Sequence, residues 1–331
     1  MKAVQLSATK ELNIVDLDKP IAESGEVLVQ VKASALNHRE LWIGKGLYPG
    51  MKLPCTLGAD GAGTIEAIGK GVPETLLNKD VIIYPAYDWG DKKHTSSKQF
   101  RVLGMPDPGT MAEYITVPYS NVVIKPAYLS MEKAAALPVA GLTAWRALTT
   151  NGKIKKGDKV LITGIGGGVA QAGLLIAVNH GAEVYVTSSS AEKIKQAVQL
   201  GAKGGVNYRD EDWGMQLKSL AGKIDIVMDS SPASELDNYL AFLNMGARIV
   251  YYGSTGSRST EIKNMSRFFL KHISFIGSTM GSPDEFFEMI AFMEKHEIAP
   301  TIHQKFALKD AHLALAALSE GKHMGKIVLE H

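Results

Sequence analysis

The chain has 331 residues, 45% hydrophobic and 21% charged, with a formal net charge of +2. That balance excludes a disordered or fibrous protein, and basic residues scattered along the chain offer no nucleic-acid surface, so a small-molecule partner fits better. A single cysteine, Cys55, excludes an internal disulfide and a cysteine-based zinc site within one chain, in keeping with a cytoplasmic protein.

The length predicts two domains, since one core rarely grows beyond ~250–300 residues. Met1 to Leu6 opens as a strand-like segment without the apolar stretch of a secretion signal, and no window approaches the ~20 apolar residues of a membrane span. Glu26 to Ser34 alternates with a period of two and reads as a half-buried strand. Glycines at 58, 61, 63, 69 and 71 then predict tight turns and close backbone approaches. Short apolar runs at Asp80–Tyr84 and Ala112–Val117 complete a β-rich, barrel-like first domain.

Beyond Lys125 the pattern changes. Ser130 to Thr149 reads as helix, capped by Ser130 and broken near Pro138-Val139-Ala140-Gly141. Strands are then expected at Lys159–Thr163, Glu183–Thr187, Gly205–Asn207, Ile224–Asp229 and Arg248–Tyr252. Helices between them are expected at Gly167–Asn179, Ala191–Leu200, Trp213–Leu220 and Ala233–Leu243. Such alternation predicts an α/β fold, a doubly wound parallel sheet with helices on both faces. The last segment adds a strand at Ile273–Gly277, helices at Asp284–Lys295 and Lys309–Glu320, and a strand at Lys326–Leu329.

The first strand of the alternating series runs into Gly164-Ile165-Gly166-Gly167-Gly168-Val169-Ala170, where a helix opens. Glycines there allow a sharp turn and let a dinucleotide's phosphates approach backbone N–H groups at the positive end of the helix. The next strand ends in Thr187-Ser188-Ser189-Ser190, followed by Lys193. An NAD site usually carries Asp or Glu at that strand end, ~20 residues past the glycines. Hydroxyls and a lysine suit the 2′-phosphate of NADPH instead, although Ser188 to Ser190 also read as caps of the following helix.

Asn37 to Pro49 (NHRELWIGKGLYP), Gly58 to Gly63 (GADGAG), Ala134 to Leu148 (AAALPVAGLTAWRAL), the 164–170 turn, and Lys193 with Tyr208 resemble the quinone oxidoreductases of the medium-chain dehydrogenase/reductase superfamily. The resemblance runs nearly end to end, finishing at Gly325-Lys326-Ile327-Val328-Leu329. It implies a GroES-like β-barrel catalytic domain, residues 1–124 completed by 268–331, and a Rossmann NADPH-binding domain, residues 125–267. For the coenzyme it implies Thr143 near the nicotinamide, Lys193 and Tyr208 at the 2′-phosphate, Gly253 and Ser254 after the fifth strand, and Lys326 near the phosphates. It also implies Asn37 and Tyr48 hydrogen-bonded to a substrate carbonyl, with Trp42 as a stacking wall. Two readings stand for Tyr48 and Trp42, since a turn before Gly50 and core packing account for them equally.

Zinc-dependent members carry Cys, His and Cys at the positions matching Asn37, Ala59 and Val139, so no metal is expected. The loop Asp88 to Met105 lies where such members keep four structural cysteines and has none; His94 reads as a solvated loop residue and His38 as one that packs or hydrogen-bonds near the cleft rather than taking a chemical role. Without a metal to stabilise an alkoxide, reduction of a quinone or activated C=C bond is the expected reaction, because a conjugated carbonyl spreads the incoming charge. Two alternatives remain: an alcohol dehydrogenase-like aldehyde reductase, and a non-catalytic NADPH-binding structural or sensor protein. The resemblance further implies a homodimer, with Ile273 to Gly277 as the edge strand that continues the sheet.

Overall fold

In the computed structural model the described residues are 1–8, 11–230, 236–253 and 265–331. Two compact units are present, Met1–Ala140 with Gly281–His331, and Gly141–Met280. These boundaries fall later in the chain than the 124/125 and 267/268 divisions read from the sequence. The Met131–Ala135 helix packs on the strands Glu26–Ala35 and Asp60–Ile68 of the first unit, while Ser274–Gly277 pairs with Leu243–Tyr251 in the second.

The first unit is GroES-like. Its larger sheet runs in the order Val122–Ile124, Asp80–Ile83, Asp60–Ile68, Glu26–Ala35, Lys326–Glu330, Ile302–Ala307, with Tyr114–Pro118 also paired to Glu26–Ala35. A smaller sheet joins Leu12–Asp16, Lys2–Leu6 and Cys55–Thr56. Val27, Val29, Val31, Ile65, Val81 and Val117 form one apolar core, and Val4, Leu36, Ile43, Leu57, Met111 and Ile327 another. Glu26–Ala35 is buried more fully than a half-buried strand: Leu28 and Ser34, on the face read as polar, are enclosed as well. Strand partners on either side and the Met131–Ala135 helix against it leave little of it to water.

Ser130 caps that helix, its hydroxyl accepting the Lys133 N–H at 3.4 Å. The expected break comes before Pro138, which opens the next helix, Pro138–Trp145; proline is tolerated in a first helical turn, where its missing N–H has no helical acceptor. Elements not anticipated include the His38–Gly44 helix, the Ile302–Ala307 strand and the Asp60–Ile68 strand, whose glycines sit within a central strand rather than in turns alone.

The second unit is a Rossmann domain. Six parallel strands run in the order Gly204–Asn207, Glu183–Ser188, Lys159–Ile162, Ile224–Asp229, Leu243–Tyr251, Ser274–Gly277. Strand order reverses beside Lys159–Ile162, the position at which doubly wound sheets bind ligands outside the C-terminal strand ends. Leu243–Tyr251 starts before the expected Arg248 because Leu243 already pairs with Ile224 across a bulge, so the preceding helix ends at Leu240 rather than Leu243; its expected start at Ala233 lies outside the described residues. Among the described residues, no helix is long and apolar enough to cross a membrane.

Candidate active site

In the second unit the sequence builds a backbone cradle. Gly164 takes a φ of +64°, a conformation that costs an L side chain roughly 1–2 kcal/mol, and a Cβ placed there would meet no described residue within 4 Å. The turn is tied to the neighbouring strand through Thr187, whose Oγ1 accepts the Gly164 N–H at 3.2 Å and whose carbonyl accepts the Ile165 N–H at 3.0 Å. Gly167 caps the Gly168–Asn179 helix with no side chain to fill the capping role. Since the ladder starts with Gln171 N–H on the Gly167 carbonyl, the N–H groups of Gly168, Val169 and Ala170 have no helical acceptor. Among the described residues nothing accepts these three N–H groups, and such donors at a positive helix end fit a pyrophosphate.

Beside this cradle lie the other coenzyme candidates. Ser188 ends its strand, and its hydroxyl accepts the Ser190 N–H at 3.1 Å; Ser190 in turn caps the Ala191–Gln199 helix by accepting the Lys193 N–H. The Tyr208 N–H reaches the Ser188 carbonyl at 3.3 Å, so Ser188, Ser190, Lys193 and Tyr208 gather at adjacent strand ends. Partial burial lowers the Lys193 ammonium below its ordinary pKa, so its charge is incompletely hydrated. Tyr208 is exposed, Thr143 is buried within its helix, and Gly253 follows the Leu243–Tyr251 strand. Ser254 lies outside the described residues. The residues present fit a nicotinamide dinucleotide.

In the first unit a second constellation is built around Asp60. Gly61 lets this strand approach Thr110, for a Cβ there would stand 2.7 Å from the Thr110 methyl carbon, and the Thr110 hydroxyl donates to the Asp60 carbonyl at 2.6 Å. The fully buried Asp60 carboxylate accepts from the Val139 N–H at 2.7 Å, from Asn37 Nδ2 at 2.9 Å and from Lys326 Nζ at 2.9 Å. Lys326 is 4% exposed and also donates to the Leu36 carbonyl at 2.7 Å and to Asn37 Oδ1 at 2.6 Å. Sequence reasoning placed Lys326 near coenzyme phosphates; in the structure its three N–H groups serve these three acceptors of the first unit. It missed Asp60 as the hub of this network, because the partner lysine lies at the far end of the chain.

Asn37 also opens the His38–Gly44 helix, and its N–H is received by the Glu40 carboxylate at 2.7 Å. Burial pushes the Glu40 carboxyl above its usual range, against the pull of Arg39 and the Asn37 N–H. Loss of hydration, and then the charge of Lys326, hold the His38 imidazole below its usual range. Arg39 stacks its guanidinium over Tyr48 at 4.9 Å, directs Nε at the Tyr48 hydroxyl at 3.4 Å, and anchors on the carbonyls of Leu103 and Met105. Tyr48 packs partly against the second apolar core, and Lys45 lies over Trp42 at 5.7 Å. The Asp88–Met105 loop is folded by other means than cysteines: Trp89 meets Phe100 edge-on at 5.2 Å, and Arg101 pairs with Asp88 and Asp107. His94 is exposed.

A parallel dinucleotide-binding sheet inserted into a GroES-like barrel defines a nucleotide-dependent oxidoreductase. Residues 23–127 match the family model described as alcohol dehydrogenase GroES-like domain, and residues 168–295 the one described as zinc-binding dehydrogenase. The chain is 36% identical to a zinc-type alcohol dehydrogenase-like protein of Leptosphaeria maculans, over 99% of this chain and 96% of that one. It is 31% identical to the quinone oxidoreductase of Rattus norvegicus, over 95% of this chain and 92% of that one. A crystal structure described as an NAD-dependent alcohol dehydrogenase superposes with a TM-score of 0.93 at 34% identity, each chain covered in full. The chain belongs to the medium-chain dehydrogenase/reductase superfamily, whose members bind a nicotinamide cofactor.

The family model's description implies zinc, and the donors here do not fit it. Positions 37, 59 and 139 carry Asn, Ala and Val, and the nearby Asp60 carboxylate is already shared by an ammonium, an amide and a backbone N–H. A divalent cation on Asp60 would face the Lys326 charge within the same network. Among the described residues, no three His, Cys, Asp or Glu side chains are arranged to hold a metal ion.

Proposed function

We propose that this chain is an NADPH-dependent reductase of quinones or α,β-unsaturated carbonyls that works without zinc. The observation that carries this reading is the Asp60–Lys326 ion pair, set among residues that supply none of the expected zinc ligands. Reduced nicotinamide, when bound, supplies a hydride that forms a C–H bond at the electron-poor carbon of the acceptor, leaving the nicotinamide oxidised and the displaced π pair on the acceptor oxygen, which then takes a proton from solvent.

The chain's own residues bind, orient and stabilise. The N–H groups of Gly168, Val169 and Ala170 hold the pyrophosphate, with Gly164, Gly166 and Gly167 keeping side chains out of its way. Ser188, Ser189, Ser190, Lys193 and Tyr208 hold the 2′-phosphate, Thr143 lies near the nicotinamide ring, and Gly253 and Ser254 complete the coenzyme site. Asn37 and Tyr48 hydrogen-bond the acceptor oxygen as charge develops on it, and Trp42 stacks on a planar acceptor. Arg39 holds the Tyr48 ring from one side.

A homodimer fits the exposed edge of the second unit. Among the described residues Ser274–Gly277 has a strand partner on one side only, and Phe275 and, in the preceding helix, Phe269 and Leu270 are exposed. An unprotected apolar edge strand favours pairing with a second copy.

Reduction of aldehydes is the second reading, favoured by the alcohol dehydrogenase descriptions of the relatives. Oxidation of NADPH by a panel of quinones, enones and aldehydes, with and without chelator, tests both. Chelator-insensitive turnover of quinones or enones is expected. Turnover confined to aldehydes and abolished by chelator would overturn the proposal, and tight NADPH binding without any turnover would point to a structural or sensory role.

A further inference from the structure

We infer that Lys326 and Asp60 are positioning residues that orient and polarise the Asn37 amide, so that one of its N–H groups is presented as a fixed donor. The inference rests on the reading of Asn37 as a group that binds the acceptor oxygen.

A primary amide has one oxygen and two N–H groups. At Asn37 the oxygen is 2.6 Å from the Lys326 ammonium, and one N–H points to the Asp60 carboxylate at 2.9 Å. Rotating the amide by half a turn would set NH2 against an ammonium and C=O against a carboxylate, so the ion pair fixes which end points where. One Nδ2 N–H remains, and no described residue accepts it. The cation on the amide oxygen draws electron density from nitrogen, which strengthens the remaining N–H as a donor.

The supports are themselves held. Lys326 has three N–H groups and three acceptors, Leu36 O, Asn37 Oδ1 and Asp60 Oδ2, so it has none left for a substrate and acts through Asn37. Asp60 is fixed by the Val139 N–H on its other oxygen and by Thr110 on its backbone carbonyl. A donor locked in this way undergoes little reorganisation as negative charge builds on the acceptor oxygen, the condition under which a single hydrogen bond contributes most to rate.

The test is a kinetic cycle of Asn37→Ala, Lys326→Met and the double variant, with reduced nucleotide and a quinone the enzyme turns over. Asp60→Asn/Lys326→Met, which leaves no buried charge unpaired, guards against loss of fold in the single lysine variant. Lys326→Met and the charge-neutral pair are each expected to lower kcat about tenfold while the KM for the coenzyme moves less than about twofold. In the Asn37→Ala background, Lys326→Met is expected to cost nothing further. Independent losses that multiply, a charge-neutral pair with full kcat, or a defect confined to the coenzyme KM would each overturn the inference. Full activity of Asn37→Ala alone would instead remove the reading on which it rests.

Discussion

Asp60 and Lys326 lie 266 positions apart in the chain, yet their carboxylate and ammonium meet at 2.9 Å, one fully buried and the other nearly so. Such a pair is costly to break from one side, because the survivor is left as an unpaired charge in a poorly solvated place. Lys326→Met is therefore expected to lower unfolding stability by about 3–5 kcal/mol, whereas Asp60→Asn/Lys326→Met should lose much less. Urea denaturation of both variants checks this; equal losses would mean that the pair contributes through packing rather than charge.

Lys193 carries the preference for the phosphorylated coenzyme in the proposed function. The cap bond to the Ser190 hydroxyl is donated by the Lys193 backbone N–H, so truncation at Cβ leaves the Ala191–Gln199 helix cap in place. A charge-assisted hydrogen bond of ~1.5–3 kcal/mol corresponds to a rise of roughly 10–100-fold in the NADPH KM for Lys193→Ala, with the NADH KM unchanged. Parallel titrations with the two coenzymes decide the matter, since an equal response to both would place the lysine away from the 2′-phosphate.

Gly167 separates binding from folding. Its φ of −74° suits any residue, and among the described residues a Cβ there meets only the Gly164 carbonyl oxygen, at 3.8 Å. Gly167→Val should thus fold with a Tm within a few degrees of the parent, while its side chain occupies the space a pyrophosphate needs. Calorimetric titration should show coenzyme affinity reduced by ~tenfold or more, at least 1.4 kcal/mol; unchanged affinity would move the phosphates off this turn.

How far the sequence could be read follows from where its information is local. The parallel sheet was legible because Val160 to Ile162, Val184 to Val186 and Ile226 to Met228 form short apolar runs separated by helical stretches. The glycine cradle was legible for the same reason, with turn and helix start adjacent in the chain. Ile302–Ala307 escaped notice because only Ile302 and Phe306 are sheltered and no alternation marks it as a strand. The seven-residue His38–Gly44 helix is too short to show a stripe, and its Asn37–Glu40 cap was its one local signal. Lys326 was assigned by resemblance to the phosphates, while its three acceptors lie on segments that only the folded sheet brings near it.

The edge strand gives a test of assembly. Phe275 is 45% exposed and stacks on Tyr251 with ring centroids 6.0 Å apart, and Phe269 is 69% exposed. Phe269→Lys/Phe275→Lys adds charges to an edge that a second copy would cover, at little cost to the isolated unit. Light scattering should show a parent of about twice the chain mass and a variant of the chain mass. A parent that already runs at the chain mass would remove the homodimer.

His331 offers a pH test independent of catalysis. Its Nδ1 lies 3.1 Å from the Ala112 carbonyl, which can only accept, so this nitrogen carries the proton; Nε2, 2.9 Å from the Ser34 hydroxyl, then accepts. Burial, opposed by the Ala112 bond, pushes the imidazole down to about 4, against an ordinary value of 6.5. The folded state favours the neutral ring, so this contribution to stability is complete above pH 6.5 and is lost as pH falls from there towards 4. At pH 5 the loss amounts to about 2 kcal/mol. His331→Gln keeps one donor and one acceptor but does not titrate, and its stability should fall less steeply between pH 6.5 and 4 than the parent's. Chemical denaturation at several pH values in that window gives both slopes, and parallel slopes would show that another group governs the acid sensitivity.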